Sequence, residues 1–355
     1  MHASKRISRK ELYTIINEYL PSRKRACIGK KGRLSNIKVI DRIGRDSADA
    51  EVFKACLPLK CKWEVAIKKI PLTKKETIFL PNKTTTKKAL INSTVWSELL
   101  FLKMCNILVK NEICPNLPFY YWHFICNKCV YTNPNIEKNL NNCVLVVNEK
   151  ADGDFKTFIT QENPSILSIL TAYFQIFVGI YCIRKYFNVW HRDLHWGNIL
   201  FHRIKDLGNF EYVIKNKTYT IPNYGYVFVV WDFGRAMIPN KIEPKDLVNL
   251  YLGETFPYTD FVRISTMLFI DQDQKNITYH KIGKYLVEII SGIFNKTNTD
   301  IVLVEKMIDT LGKDISFLIK NSKDKQIIQT FDTDKCIKLT KDYKDLDKFL
   351  LKKCN

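Results

Sequence analysis

The stretch "HRDLHWGNIL", residues 191–200, places a carboxylate, Asp193, five residues before a carboxamide, Asn198. Two histidines, an arginine, an indole and a glycine occupy the positions around them before the stretch becomes apolar. Such a dense polar run is typical of a loop that carries function on a rigid scaffold. Since a carboxylate can accept a proton and an amide oxygen can bind a cation, the loop predicts a site that uses both.

Composition sets the limits within which this loop works. The chain has 355 residues, of which 46% are hydrophobic, so it is long enough for one large two-lobed domain or two ordinary ones. Its formal net charge of +20 favours polyanionic partners. Nucleotides, nucleic acid, acidic peptides and anionic lipid all remain open on this ground.

The eleven cysteines are expected to be reduced thiols. The N-terminal "MHASKRISRKELY" lacks the apolar segment of a signal peptide, which predicts an intracellular protein of the cytoplasm or nucleus without disulfides. Cys126 and Cys129 in "CNKC", with Cys114 and Cys143, have the residue types of a zinc site. A second tight pair is missing, which favours simple thiols.

One long apolar stretch, "ILSILTAYFQIFVGIYCI" at 166–183, has the length of a membrane span. It contains Gln175 and Gly179 and leads directly into the polar loop at 191, so a buried central helix is the favoured interpretation. We therefore expect no transmembrane segment.

The remaining sequence divides into three parts. Residues 1–35 predict a solvated basic extension. Short β-branched runs such as "IKVIDRIG" and "WEVAIKKI" predict an antiparallel sheet, interrupted by a Thr- and Lys-rich insertion loop before a helix capped by Ser93. Beyond residue 155 helices dominate the prediction.

Four motifs follow one another in a fixed order along the chain. "VAIK" ends at Lys68, Glu98 lies on the next predicted helix, "HRDLHWGN" follows the apolar helix, and "WDFG" contains Asp232. The set resembles the signature of eukaryotic-type protein kinases from about Lys38 to at least Arg263. "HRDLHWGN" and "YTIPNYGYVFVVWDFG" are in addition similar to haspin, an atypical kinase, and His195 stands where serine/threonine kinases usually have a lysine.

The resemblance implies an α+β bilobal fold with ATP bound in the crevice between the lobes. A small antiparallel N-lobe with one helix would span residues 36–149, and a larger, mainly helical C-lobe residues 150–355. It also implies roles for the motif residues, because phosphoryl transfer depends on positioning and on cations. Lys68 would contact the α and β phosphates and Glu98 would hold it, Asp232 and Asn198 would bind Mg²⁺, and Asp193 would be the catalytic base.

Further ATP-binding residues are carried over from the family pattern. The stretch "IGRDSADAEVFKA" retains Gly44 of the glycine-rich loop, while Ser47 and Ala50 stand at the other glycine positions. Val147 falls at the gatekeeper position. The full set implied for ATP comprises Ile43, Gly44, Ser47, Ala50, Val52, Ala66, Lys68, Glu98, Val147, the adenine-binding backbone of Asn148, Glu149 and Lys150, and Asp154 near the ribose.

The segment after Asp232 lacks an A-P-E motif. Asp260 in "FPYTDFVRIS" is expected to be the aspartate that braces the catalytic loop, only 28 residues beyond Asp232. This short separation predicts a constitutively formed site without a phosphorylatable switch loop.

The resemblance implies a serine/threonine-directed protein kinase that uses ATP and Mg²⁺. The Lys-, Asn- and Ile-rich composition and the divergent loops suggest a large DNA virus as its source. We expect a monomer, located in the host cell or virion. The net charge favours an acidic substrate or a chromatin- or virion-associated one, and permits non-specific nucleic-acid contact. Three alternatives stay open: a pseudokinase scaffold, which the poor glycine loop favours; a small-molecule kinase; and a basic nucleic-acid-binding protein with a vestigial kinase fold.

Overall fold

The computed structural model describes most of the chain: residues 8–20, 33–34, 37–44, 50–57, 61, 63–78, 93–127, 129–133, 136, 142–243, 259–270, 277–294, 300–319 and 326–351. These residues confirm the predicted α+β fold class. The chain divides into two compact units, one of Met1–Leu99 with Phe119–Ala151 and one of Leu100–Pro118 with Asp152–Asn355. The stretch 100–118, predicted within the N-lobe, thus belongs to the second unit.

The first unit is built on one antiparallel sheet of six strands in the order β1-β2-β3-β4-β6-β5. β4 is buried on both faces for most of its length, which explains its continuous apolar run. The elements of this unit are α1 (Arg9–Tyr19), β1 (Arg33–Leu34), β2 (Ile37–Ile43), β3 (Glu51–Cys56), β4 (Glu64–Leu72), α2 (Lys74–Ile78), the start of α3 (Thr94–Lys110), β5 (Tyr120–Asn127) and β6 (Asn142–Glu149).

Two expectations for this unit are wrong. The N-terminal extension is not simply solvated, since it contains α1, whose Ile16 is fully buried. Its cap was visible in the sequence, because Ser8 and the Glu11 side chain satisfy each other's backbone N–H groups in a capping box. The insertion loop likewise begins with a helix, α2, and its residues 79–92 lie outside the described residues.

The cysteines also differ from expectation. Cys56 forms a disulfide with Cys61, and Cys129 forms one with Cys143. The second pair uses two of the four thiols considered for zinc, and within the described ranges no group of three or more metal-binding side chains is found. The prediction of an entirely reduced chain is therefore wrong for this structure.

The second unit combines helices with two three-stranded sheets, of order β10-β9-β12 and β11-β8-β7. β12 pairs in parallel with β9, more than a hundred residues earlier in the chain. Its elements are β7 (Gly153–Asp154), α4 (Phe155–Gln161), α5 (Ile166–Phe187), a 3₁₀ turn (Trp196–Asn198), β8 (Ile199–Arg203), β9 (Asn209–Ile214), β10 (Lys217–Pro222), β11 (Tyr226–Val230), α6 (Thr259–Ile270), α7 (Ile277–Phe294), α8 (Asp300–Leu318), β12 (Ile327–Asp332) and a second 3₁₀ turn (Lys341–Leu346).

The apolar helix α5 forms the core of this unit. It is long and apolar enough to cross a membrane by length and composition, but nearly all of its side chains are buried within the fold. Its one amide is matched to polar neighbours: the Gln175 Oε1 atom accepts hydrogen bonds from the Phe228 N–H at 3.0 Å and from Asn116 Nδ2 at 3.1 Å. Such pairing is what a buried polar group requires, and it supports the central-helix interpretation.

The C-terminal residues pack back onto this helix. The Tyr186 hydroxyl donates to the Thr333 carbonyl at 2.9 Å, and the Leu351 N–H donates to the Tyr186 carbonyl at 2.7 Å. Together with β12, these bonds make residues 326–351 part of the second unit rather than a tail.

Candidate active site

In the first unit, the lysine of "VAIK" meets the predicted glutamate. The Lys68 Nζ atom on β4 lies 2.7 Å from Glu98 Oε1 on α3, and both side chains are buried. The two residues are 30 positions apart, so the pairing is a property of the fold. A buried ion pair of this kind holds the ammonium group in one place.

The next residue along β4, Lys69, has a different partner. Successive side chains of a strand point to opposite faces, and Lys69 pairs with buried Glu51 on β3. Glu51 in turn accepts hydrogen bonds from the N–H groups of Thr132 at 2.7 Å and Asn133 at 2.8 Å. The Lys69–Glu51 pair therefore has a structural role: it holds the loop that contains Thr132 and Asn133.

The residues implied for the phosphate loop lie at the β2–β3 hairpin. Ile43 pairs with Val52 across the two strands, and Gly44 leaves β2 with a φ of +81°, a conformation that favours glycine. Ala50 is buried, whereas Ser47 lies outside the described residues. The structure thus places four of these five residues at one hairpin.

The strand β6 carries the predicted hinge. Val147 and Asn148 are buried, and Asn148 pairs with Ala66 on β4. The side chain of Lys150 forms an ion pair with Glu64 at 3.1 Å. Burial raises the pKa of Glu64, but Lys54 and Lys150 outweigh this effect and hold it below its usual value.

In the second unit, Asp260 of α6 holds the loop that contains Asp193, as predicted. Its carboxylate accepts hydrogen bonds from the N–H groups of His191 at 2.9 Å and Arg192 at 2.7 Å. Arg184 of α5 lies 3.2 Å from the same carboxylate, and both side chains are buried. Burial lowers the pKa of Arg184 to about 10 although Asp260 opposes the shift. The loop is thus held by a desolvated, charged clamp.

His191 links this loop to the "WDFG" segment. Its Nε2 atom lies 2.7 Å from the Trp231 carbonyl, and its Nδ1 atom lies 3.3 Å from the Asp193 N–H. These contacts fit a neutral ring with Nε2–H as donor and Nδ1 as acceptor. Arg192 adopts a left-handed conformation with a φ of 64°, which turns the chain immediately before Asp193.

The Asp193 carboxylate faces cations on one side. Its Oδ1 atom lies 3.4 Å from Arg263 Nη1 and 3.7 Å from Arg235 Nη1. His195 Nε2 is 3.9 Å from Oδ2, and burial lowers the pKa of His195 although Asp193 opposes this. With its pKa below the ordinary 6.5, the imidazole is neutral at neutral pH, so positive charge at this carboxylate comes from the arginines.

Asn198 and Asp232 have the donor types that Mg²⁺ requires. The Asn198 Nδ2 atom donates to the Asp193 carbonyl at 2.8 Å, which directs Oδ1 away as an acceptor, and the Trp231 N–H donates to the Asn198 carbonyl at 2.7 Å. Asp232 has a φ of 60°, and its Oδ1 atom accepts from the Gly234 N–H at 3.1 Å. An amide oxygen and a carboxylate fit a magnesium ion that takes its other ligands from phosphates and water.

Asp154, implied near the ribose, also has a local task. It is the N-cap of α4, where its Oδ1 atom accepts from the Thr157 N–H and hydroxyl, each at 2.7 Å. This cap fixes the orientation of the Asp154 carboxylate at the start of the second unit.

Sequence reasoning missed several charged residues around the site. Arg235 directly follows "WDFG" and Arg263 lies within "FPYTDFVRIS", but neither arginine was assigned a role on sequence grounds. The Arg184 partner of Asp260 gave no local signal, because the two are 76 residues apart.

A family model described as a haspin-like kinase domain matches residues 36–225, just over half of the chain. The chain belongs to the haspin-like kinase family. This match includes Lys68, Asp193 and Asn198 and ends before Asp232.

Curated relatives agree with the haspin-like assignment. A probable serine/threonine-protein kinase, 380R, of Invertebrate iridescent virus 6 is 31% identical over 144 residues, covering 39% of this chain and 26% of that protein. A probable kinase, 098L, of Invertebrate iridescent virus 3 is 27% identical over 180 residues, covering 49% and 34%. A serine/threonine-protein kinase haspin homolog of Arabidopsis thaliana is 25% identical over 179 residues, covering 48% and 27%. The chain matches about a third or less of each relative's length.

Glu98→Gln tests the ion pair on β4. The variant removes the carboxylate charge that holds the Lys68 ammonium group in place, so we expect kcat/KM for ATP to fall by about 10²-fold. Steady-state kinetics over a range of ATP concentrations measures this. Glu51→Gln is the matched control, since it removes the carboxylate from the neighbouring lysine; it should lower the melting temperature while its KM for ATP stays near that of wild type. Equal effects of the two variants on KM would contradict a specific role for Glu98.

Proposed function

We propose that this chain is a Mg-ATP-dependent protein kinase that transfers the γ-phosphoryl group to serine or threonine hydroxyls. The observation that carries the proposal is the loop at Asp193. A buried aspartate holds this loop, which carries the Asp193 carboxylate and the Asn198 amide, whose Nδ2 atom donates to the Asp193 carbonyl. The intact pair Lys68–Glu98 supports nucleotide binding over a scaffold role.

Each residue of the site has its own role in phosphoryl transfer. Lys68, fixed by Glu98, binds the α and β phosphates, and Asn198 and Asp232 hold the magnesium ion. That ion, when bound, neutralises charge on the phosphates. Asp193 orients the acceptor hydroxyl and takes its proton as the hydroxyl oxygen attacks the γ phosphorus; the bond from that phosphorus to the β–γ bridging oxygen breaks, and ADP leaves. Bound substrate must therefore approach the Asp193 carboxylate.

The surroundings of Asp193 support a preference for acidic substrates. Arg263 and Arg235 contact its Oδ1 atom, and both guanidinium groups are about two-fifths exposed. A carboxylate or phosphate next to the acceptor residue would gain charge-assisted hydrogen bonds there. The formal net charge of +20 acts in the same direction at longer range.

Transfer of labelled γ-phosphate from Mg-ATP to acidic, basic and histone-like protein mixtures tests the proposal, followed by phosphoamino-acid analysis. Phosphoserine or phosphothreonine formed by wild type, and lost in a variant lacking the Asp193 carboxylate, is the expected result. A folded protein that binds Mg-ATP weakly and transfers nothing would favour a pseudokinase scaffold. Phosphorylation of a metabolite alone would favour a small-molecule kinase.

Arg263→Gln tests the substrate preference. With one guanidinium removed, we expect kcat/KM for a peptide with an acidic residue beside its acceptor to fall about tenfold, since a charged hydrogen bond is worth about 1.5–3 kcal/mol. The matched peptide with a neutral residue at that place should change far less. Parallel kinetics on the two peptides measure the difference, and equal losses on both would argue against recognition of acidic groups by Arg263.

A further inference from the structure

We propose that Arg9, on the N-terminal helix α1, is a positioning residue for ATP: through Glu149 it fixes the end of β6, whose adjoining backbone binds adenine. The inference rests on the proposed function, because it adds Arg9 to the residues on which ATP binding depends. It concerns residues of the first unit alone.

Arg9 and Glu149 form a two-pronged contact. Arg9 Nε lies 2.9 Å from Glu149 Oε2, and Arg9 Nη2 lies 2.5 Å from Oε1. The Glu149 side chain is only 4% exposed and that of Arg9 18%. Bidentate arginine–carboxylate pairs are the strong and geometrically specific ones. The contact therefore defines the direction of the Glu149 side chain, at the last residue of β6.

Phe119 closes the arrangement on the other side. Its N–H donates to Glu149 Oε1 at 2.8 Å, and its carbonyl accepts from the Glu149 N–H at 2.9 Å. Glu149 is thus held by its backbone and by its side chain at once. The Glu149 N–H points toward Phe119, and backbone groups of successive strand residues point to opposite edges. Asn148, the preceding residue of β6, therefore directs its backbone groups to the other edge, where it pairs with Ala66 of β4.

The helix itself is anchored independently of Arg9. The ring of Tyr13 packs against those of Phe119, at 4.9 Å between centroids, and Tyr121, at 5.7 Å. Ile16 is fully buried. The capping box begins the helix at Arg9 itself. Removing the Arg9 side chain therefore leaves α1 with its own means of staying in place.

The physical consequence follows from the cost of a buried charge. Without Arg9, the Glu149 carboxylate loses a bidentate ion pair in a desolvated place. Such a carboxylate can regain solvation only by moving, and the backbone of β6 moves with it. Because α1 lies before the family match at 36–225, this support is an addition to the haspin-like domain.

Titration of the full chain with Mg-ATP tests the proposal without relying on catalysis. We expect Arg9→Gln to raise the Kd for Mg-ATP about tenfold, in line with the loss of one partner of a buried pair. Lys10→Gln removes the same charge from an exposed position of the same helical turn and should leave the Kd unchanged. Arg9→Gln combined with Glu149→Gln should recover much of the affinity, because the buried carboxylate charge that Arg9 neutralises is then also removed.

Steady-state kinetics distinguishes weaker ATP binding from a general loss of folded protein. For Arg9→Gln we expect KM for ATP to rise with kcat near that of wild type at saturating ATP, since the catalytic loop belongs to the other unit. An unchanged Kd in folded Arg9→Gln overturns the proposal, and so do equal losses in Arg9→Gln and Lys10→Gln.

Should Arg9→Gln fail to fold, Arg9→Lys decides, because it keeps the charge but not the bidentate geometry. A Kd for Arg9→Lys equal to that of wild type then overturns the proposal. Wild type that binds no Mg-ATP overturns the proposed function and this inference together, whereas wild type that binds while every Arg9 variant matches it overturns the inference alone.

Discussion

Asp193→Asn is expected to lower kcat for protein phosphorylation by about 10³-fold, the range of general-base contributions, while the Kd for Mg-ATP changes little. The asparagine has the shape of the aspartate but cannot accept the proton of the attacking hydroxyl. The loop should keep its form, since the Asn198 side chain holds the backbone carbonyl of residue 193 at 2.8 Å and not only its carboxylate. Single-turnover transfer from labelled ATP measures the effect.

The control for this variant is the nucleotide-binding titration on the same preparation. Wild-type affinity with lost transfer separates chemistry from folding and from binding. Transfer by Asp193→Asn at a rate close to that of wild type would contradict the assignment of Asp193 as the base.

Asp260→Ala is expected to have the largest effect on stability. It removes the counter-ion of buried Arg184 and leaves the N–H groups of His191 and Arg192 without their acceptor. Breaking a buried pair from one side costs about 3–5 kcal/mol, so we expect the free energy of unfolding of the second unit to fall by about that amount. Urea unfolding followed by circular dichroism measures it.

Asp260→Asn is the matched variant, because its amide oxygen can still accept one of the two backbone hydrogen bonds. Its loss should be smaller than that of Asp260→Ala, and phosphotransfer should survive in part. If Asp260→Ala unfolds at the same urea concentration as wild type, the buried clamp beneath the catalytic loop has no energetic importance.

The order of the motifs along the chain was enough to predict two contacts of the candidate site. It placed Lys68 with Glu98 across a 30-residue gap, and it singled out Asp260 as the brace of the catalytic loop, which the hydrogen bonds confirm. Both predictions depend on residue types that occupy fixed positions in the kinase pattern that this chain resembles. The roles of these residues in ATP binding and transfer stay predictions.

Contacts between residues outside the motifs could not be predicted in this way. The contact of Arg9 with Glu149 spans 140 residues, and nothing local in either segment indicates the other. The helix that carries Arg9 did leave a signal, the serine and glutamate of its capping box, but the basic residues around it favoured a solvated arm. The parallel pairing of β12 with β9 likewise depends on a distant partner, whereas the disulfides Cys56–Cys61 and Cys129–Cys143 join residues only 5 and 14 positions apart.

The parallel pairing also sets an order of events during synthesis. β9 ends at Ile214, but its partner β12 ends at Asp332, and Leu351 bonds to Tyr186. When the ribosome has synthesised the chain only as far as residue 225, β9 therefore lacks its neighbour β12, and α5 lacks its contacts with residues 326–351. Contacts of such high sequence separation form slowly. The sheet β10-β9-β12 of the second unit thus stays incomplete until residue 332 has been synthesised.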